Sequence, residues 1–342
     1  MNSEPEVPAP GAERKNRCGF RQPAVLLDLG RLPEKRIVEQ QFYRWLARQL
    51  PGDLKPPAAP GDDAATWHAH GTWVVATDTV VQDVDFRLPP ATPRQVGHKA
   101  LAVNLSDLAA MGARPFGCLV SLVLPRHQAL PLAQEVQQGV LHLAQQHQLR
   151  LLGGDLTTWE GKLVVTVTVL GQLPDGEQPW SRSGAQPGDV LLVSGPLGGS
   201  ILGRHLEPPL RVSQALQLRQ VVQVHAAIDI SDGLVLDLWR LCQASGCGAV
   251  LELQEVPVHP DAHRLAQQQP EQGSALQHAL YDGEDFELLV AVGAEEAARL
   301  HRQAEAATNR WHRIGTITSE PKLLARDQHG RLQELEIRGY EH

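Results

Sequence analysis

The sequence predicts a mixed α/β (α+β) fold divided between two domains, and three observations carry that expectation. The chain has 342 residues, more than one typical core accommodates. Short β-branched runs alternate with helix-period segments in both halves. Residues 1–33 are rich in Pro and charge without periodicity and read as a disordered extension. That leaves 34–172 as a first domain and 173–342 as a second.

From Glu34 the pattern becomes helical, with Ile37, Phe42, Trp45, Leu46 and Leu50 at roughly helical spacing, and Pro51-Gly52 ends it. Thr72 to Ala76 reads as a strand that delivers Thr77 and Asp78 at its end. A helix from about Pro93 to Met111 presents small side chains for close packing, and Gly112 suits its C′ position. Cys118 to Leu124 is a strand, Leu132 to Gln148 a Gln-rich amphipathic helix, and Leu163 to Leu170 an alternating strand. Between the last two, Gly153-Gly154-Asp155 reads as a turn. In the second half, strands are expected at Asp189 to Ser194, Ala249 to Leu253, Phe286 to Val292 and Arg313 to Thr318. Helices are expected at Gln214 to Val224 and 233–245.

Composition narrows the functional classes. Hydrophobic residues make up 42% and charged residues 20%, with a net charge of -8. This is an ordinary globular composition, and the acidic balance argues against nucleic acid as a partner. No apolar run approaches the ~20 residues of a membrane span, and the N-terminus lacks a signal-peptide pattern. A cytoplasmic location is the expectation. The four cysteines, Cys18, Cys118, Cys242 and Cys247, include no Cys-x-x-Cys pair, which argues for reduced thiols rather than zinc.

The chemistry lies in acids set beside glycine or small polar residues: Gly61-Asp62-Asp63, Thr77-Asp78-Thr79, Ser106-Asp107, Gly153-Gly154-Asp155, Asp229-Ile230-Ser231-Asp232-Gly233 and Asp282-Gly283-Glu284-Asp285. Mg2+ takes oxygen ligands and is usually held by one or two carboxylates plus substrate phosphates. Several ions therefore need several carboxylates gathered by folding. Asp107 is the most telling, because it interrupts a helix of apolar and small residues and must there be paired, capping or metal-bound. The Gly195 to Ser200 loop lacks the Gly-Lys-Ser/Thr ending of a P-loop. The Asp229 segment has Arg240 where an EF-hand places its last carboxylate. Arg182 and Arg204 are candidate phosphate partners.

Taken together, these motifs resemble those of the thiamine-phosphate kinase family. The resemblance runs in order through Gly61-Asp62-Asp63-Ala64, Thr77-Asp78-Thr79, Lys99 to Ala113, Gly153 to Thr157, Arg182 to Asp189, Arg204-His205-Leu206, Ile228 to Leu234 and Gly283 to Leu288. The stretch 99–113 is the most specific. The resemblance implies a two-domain aminoimidazole ribonucleotide synthetase-like fold whose N-terminal domain contributes to a dimer-spanning β-barrel. It implies a homodimer that phosphorylates thiamine monophosphate to the diphosphate with ATP and several Mg2+ ions. By position it assigns Asp63, Thr77, Asp78, Asp107, Asp155, Asp229 and Asp232 to Mg2+. Gly154, Asp155, Arg182 and Ser231 fall to ATP, and Glu284 to the substrate. Asp85 stands where the family has His, and Ile337 where an aromatic residue is expected, so both are assigned to the substrate end. The segment between the 195–200 loop and Arg204 is shorter than is usual in the family. The acceptor is itself a phosphate with a second pKa of about 6, so no general base is expected. Two further readings stay open: a kinase or synthetase of this superfamily acting on another acceptor, and a non-catalytic nucleotide-binding relative.

Overall fold

The computed structural model describes residues 34–50, 64, 66–304 and 311–340. The extension at 1–33, Cys18 and Asp63 lie outside the described residues.

The first half contains α1 (Glu34–Gln49), β1 (Trp73–Val81), α2 (Pro93–Ala110), β2 (Arg114–Pro125), α3 (Ala129–Gln146), β3 (Arg150–Trp159) and β4 (Val164–Gln172). Its sheet has the order β1-β4-β2-β3, with β2 and β3 parallel and the other pairs antiparallel. β4 shows the period-2 pattern of a half-covered strand: Val165, Val167 and Val169 are buried, while Thr166 and Thr168 are only partly covered. On the covered side α2 packs on β1 and β4, and α3 on β2 and β3.

α2 begins with a full capping box, in which Thr92 and Gln95 satisfy each other's backbone N–H groups. It crosses α3 in backbone contact. A Cβ on Gly97 would fall on the Val136 carbonyl, and one on Gly139 on the Arg94 carbonyl. The small residues read from the sequence as packing faces thus have a specific use: they let two backbones touch.

The second half contains β5 (Val190–Val193), α4 (Val212–Val221), β6 (Val224–Ile230), α5 (Leu234–Ser245), β7 (Gly248–Glu252), α6 (Pro260–Gln268), α7 (Ala275–Tyr281), β8 (Glu287–Val292), α8 (Ala294–Ala304), β9 (His312–Thr318), β10 (Leu323–Arg326) and β11 (Leu332–Glu334). These strands form a seven-stranded sheet, β11-β10-β7-β9-β5-β8-β6, in which the β10–β7 pair alone is parallel. One apolar core runs from the first half onto this sheet through Val190, Leu192, Leu288 and Val290. A second core fills the other face beneath α5 and α7. Cys118, Cys242 and Cys247 are free and buried.

Two local expectations are corrected. Thr77 and Asp78 lie inside β1 rather than at its end, and Gly153-Gly154-Asp155 lies inside β3 rather than in a turn. Sheet pairing overrides the turn chemistry of these residues. Gly154 is required there by close packing, since a Cβ would meet the Val120 carbonyl.

Candidate active site between the two halves

Register decides which acids can meet. Asp78 pairs across with Val167, so it shares the covered face with Val74 and Val80 and looks toward α2. Helical spacing then places Lys99, Val103, Ser106 and Asp107 along one side of α2. From the second half, β6 carries Asp229 one residue before its end, and the Ser231-Asp232-Gly233 turn follows. These parts wall a cavity of about 1300 Å3 lined by Asp78, Lys99, Asp107, Arg182, Asp229 and Ser231, with Asp232, Asp85, Glu284 and Tyr340 further around its rim. Among the described residues, eight carboxylates line it against four Lys or Arg side chains, so the cavity is an anionic one that calls for cations.

At one end the acids crowd each other. Burial pushes the Asp107 carboxyl up to about 8, helped by the charges of Asp229 and Asp78 and by a hydrogen bond shared with Asp78; Arg182 opposes this. Asp229 is buried, and burial raises it too, although the Ser106 hydroxyl donates to its Oδ2 at 2.7 Å. That bond links α2 to β6 across 123 residues. Carboxyls forced toward protonation by burial and by one another fit a divalent cation, which would satisfy both. Among the described residues no group of three or more His, Cys, Asp or Glu is arranged to hold a metal ion by itself. Mg2+ fits such an incomplete set, because it keeps waters and shares substrate phosphate oxygens.

The Ser231-Asp232 turn is held by a residue that the sequence reading missed. Asp237, in the first turn of α5, accepts the backbone N–H of Ser231 at 3.0 Å and of Asp232 at 2.9 Å. Burial nevertheless pushes its carboxyl up to about 7. Arg240 donates to both Asp232 and Asp237. The signal was available as a carboxylate six residues after Ser231, on the first turn of a helix, where N-terminal dipoles favour negative charge.

At the other end, Lys99 Nζ donates to Glu284 and to the Asp85 carbonyl at 2.6 Å. One Asp85 carboxylate oxygen is taken by the Val81 N–H at 2.7 Å, so this side chain shapes the turn after β1 as well as lining the cavity.

Four residues expected at the site stand elsewhere in this chain. Ile337 is exposed and does not line the cavity. Tyr340 lines it instead, because the tail after β11 docks on the Ser231-Asp232 turn. The Tyr340 N–H donates to the Asp232 carbonyl at 2.9 Å, and a Cβ on Gly339 would meet that same oxygen. Thr77 lies on the opposite sheet face, bonded to Thr168 at 2.9 Å. Register puts Asp155 on that same outer face, three strands away. Gly154 sits beside it on β3, its carbonyl accepting the Tyr43 hydroxyl at 3.4 Å. Burial raises the Tyr43 phenol, with the Asp155 and Glu39 carboxylates adding to it.

The two halves match known domain families. Residues 61–173 match the N-terminal domain of AIR synthase related proteins, and residues 186–327 match the C-terminal domain of the same proteins. This defines the class of fold and site. The thiamine-monophosphate kinase of Rhodopirellula baltica is 46% identical over 76% of this chain and 84% of its own length. That of Escherichia coli K12 is 35% identical over 90% of this chain and 98% of its own. The chain belongs to the thiamine-monophosphate kinase family, and is an enzyme of the kinase class. The crystal structure of the Stenotrophomonas maltophilia K279a thiamine-monophosphate kinase superposes with a TM-score of 0.70 at 33% identity, covering 82% of this chain and 94% of that one. AaThiL complexed with AMPPCP and TMP has a TM-score of 0.69 at 24% identity, covering 91% of this chain and 98% of that one, and shares the fold.

Proposed function

We propose that this chain transfers the γ-phosphoryl group of ATP to the phosphate of thiamine monophosphate, giving thiamine diphosphate and ADP. The observation that carries the reading is one cavity with two chemically distinct ends. Asp78, Asp107 and Asp229 crowd at one end, and the Glu284–Lys99 pair stands at the other. The related thiamine-monophosphate kinases of Rhodopirellula baltica and Escherichia coli support it, as does a relative of the same fold that is complexed with AMPPCP and TMP.

The crowded carboxylates would hold Mg2+, which supplies charge neutralisation for phosphates drawn together. Arg182 stands at this end as a guanidinium for ATP oxygens. The acceptor phosphate is largely ionised near neutral pH, so no side chain needs to take a proton, and direct in-line transfer follows. Glu284 and the half-exposed ring of Tyr340 offer a carboxylate and an aromatic face to a planar cationic acceptor.

A homodimer completes the reading. Val75 is 63% exposed and Leu119 is 39% exposed on the outer face of the four-stranded sheet, the face that also carries Thr77 and Asp155. A second copy against it would cover these apolar side chains and bring those polar ones into an interface.

The test is incubation of the purified protein with ATP, Mg2+ and thiamine monophosphate, with chromatographic detection of thiamine diphosphate and ADP. Turnover of another phosphate acceptor without product from thiamine monophosphate would overturn the assignment.

A further inference from the structure

We infer that Lys99 is a positioning residue for the acceptor: its ammonium fixes the Glu284 carboxylate at the cavity wall and reserves it for the acceptor's cationic end. The inference rests on the acceptor reading above and adds a residue to it.

Lys99 is 1% exposed, whereas the Glu284 side chain it binds is 32% exposed and lines the cavity. A lysine is seldom buried so fully unless it is paired, and this one spends its charge on a carboxylate 185 residues away. Its second bond, to the Asp85 carbonyl at 2.6 Å, fixes the ammonium from the other side. The Glu284 backbone is already pinned. It adopts φ 63°, in the left-handed region that non-glycine residues seldom occupy, and its N–H donates to the Ser231 carbonyl at 2.7 Å. The preceding Gly283 packs so closely that a Cβ would lie 2.6 Å from the same oxygen. With the backbone held, side-chain rotation is the remaining freedom, and Lys99 removes it.

Reservation matters because the cavity is rich in acids. Asp232 pairs with Arg240, whose side chain is 34% exposed, whereas the Lys99 side chain is 1% exposed. A Glu284 released from it would be one more mobile carboxylate in a cavity that attracts divalent cations. Held by one oxygen, it presents a fixed hydrogen-bond acceptor instead, and fixed geometry is where binding energy turns into selectivity.

A tether between the halves with no role toward the acceptor would make the same contacts, so the test must separate the two. Steady-state kinetics of Lys99→Met should show KM for thiamine monophosphate raised about 10-fold or more, with kcat and KM for ATP changed less than about 2-fold. Lys99→Arg should recover part of the loss. The double variant Lys99→Met/Glu284→Gln should be no worse toward the acceptor than Glu284→Gln alone, as expected for residues acting through one contact. If Lys99→Met does not fold, Lys99→Gln, which keeps a donor for the Asp85 carbonyl, carries the same expectation. Equal rises in both KM values, an unchanged acceptor KM, or additive effects in the double variant would overturn the role of Lys99 alone. A wild-type protein without turnover of thiamine monophosphate would overturn the acceptor reading and this inference with it.

Discussion

Replacing Asp107 by Asn should stabilise the metal-free protein at high pH while removing its activity. The Asp107 carboxyl is pushed from 3.8 to about 8 by burial and by Asp229 and Asp78. At about 1.4 kcal/mol per pH unit, that displacement means roughly 6 kcal/mol held against ionisation when no cation is bound. The sign follows from linkage. Between about pH 4 and 8 the folded protein keeps a proton that the unfolded chain has lost, so metal-free stability falls as pH rises through that window and levels off above it. Asn carries no charge at any pH, so the variant should lose this slope. With relaxation and water entry absorbing part of the cost, the variant should exceed wild type by about 2–4 kcal/mol at pH 9, by less at pH 6, and match it only near pH 4 and below, where Asp107 is protonated in the folded and the unfolded chain alike. Thermal or urea denaturation in chelator at pH 6, 7.5 and 9 reads the effect directly. Adding Mg2+ should raise wild type more than the variant, and turnover should fall by about 100-fold or more. A variant no more stable than wild type at pH 9, with its pH slope intact, would refute the assignment of the strain to Asp107.

Three other perturbations follow. Gly97→Ala places a methyl on the Val136 carbonyl, so the α2–α3 crossing must open; urea denaturation should show a loss of about 2–4 kcal/mol, and an unchanged midpoint would contradict the packing. Arg182→Ala should raise KM for ATP about 10-fold or more with the acceptor KM little moved, which substrate-varied kinetics can check. Tyr340→Ala should raise the acceptor KM about 10-fold while Ile337→Ala leaves it unchanged; the reverse order would restore the role that sequence position assigned to Ile337.

Much of the site was legible because its residues sit in local motifs. α2 was readable from its small residues and from the misplaced charge of Asp107, and the Asp229 to Gly233 turn from its composition. What was hidden depends on partners distant in sequence. Nothing near Ser106 announces a bond to Asp229, and nothing near Lys99 announces Glu284. The strand placement of Asp78 and Asp155 was misread because Thr-Asp-Thr and Gly-Gly-Asp have turn chemistry, which pairing with β4 and β2 overrides. Helices α6, α7 and α8 went unread because their apolar faces are short and set among Gln, Glu and His. The aromatic of the site was sought at Ile337 by alignment of position. Gly339, through its close approach to the Asp232 carbonyl, in fact sets where the tail turns and brings Tyr340 forward.

α2 gives the site a ruler. Lys99 and Asp107 lie eight residues apart on one helix, a rise of about 12 Å. That helix is clamped against α3 by backbone contact at Gly97 and Gly139. On the proposed reading, the span between Lys99, which would orient the acceptor's head through Glu284, and Asp107, which would help gather metal around its phosphate, is set on the α2 side by helix geometry. Under that reading an acceptor would be measured by length before it is judged by chemistry. One shortened by a methylene would have to give up either its head contact or the alignment of its phosphate.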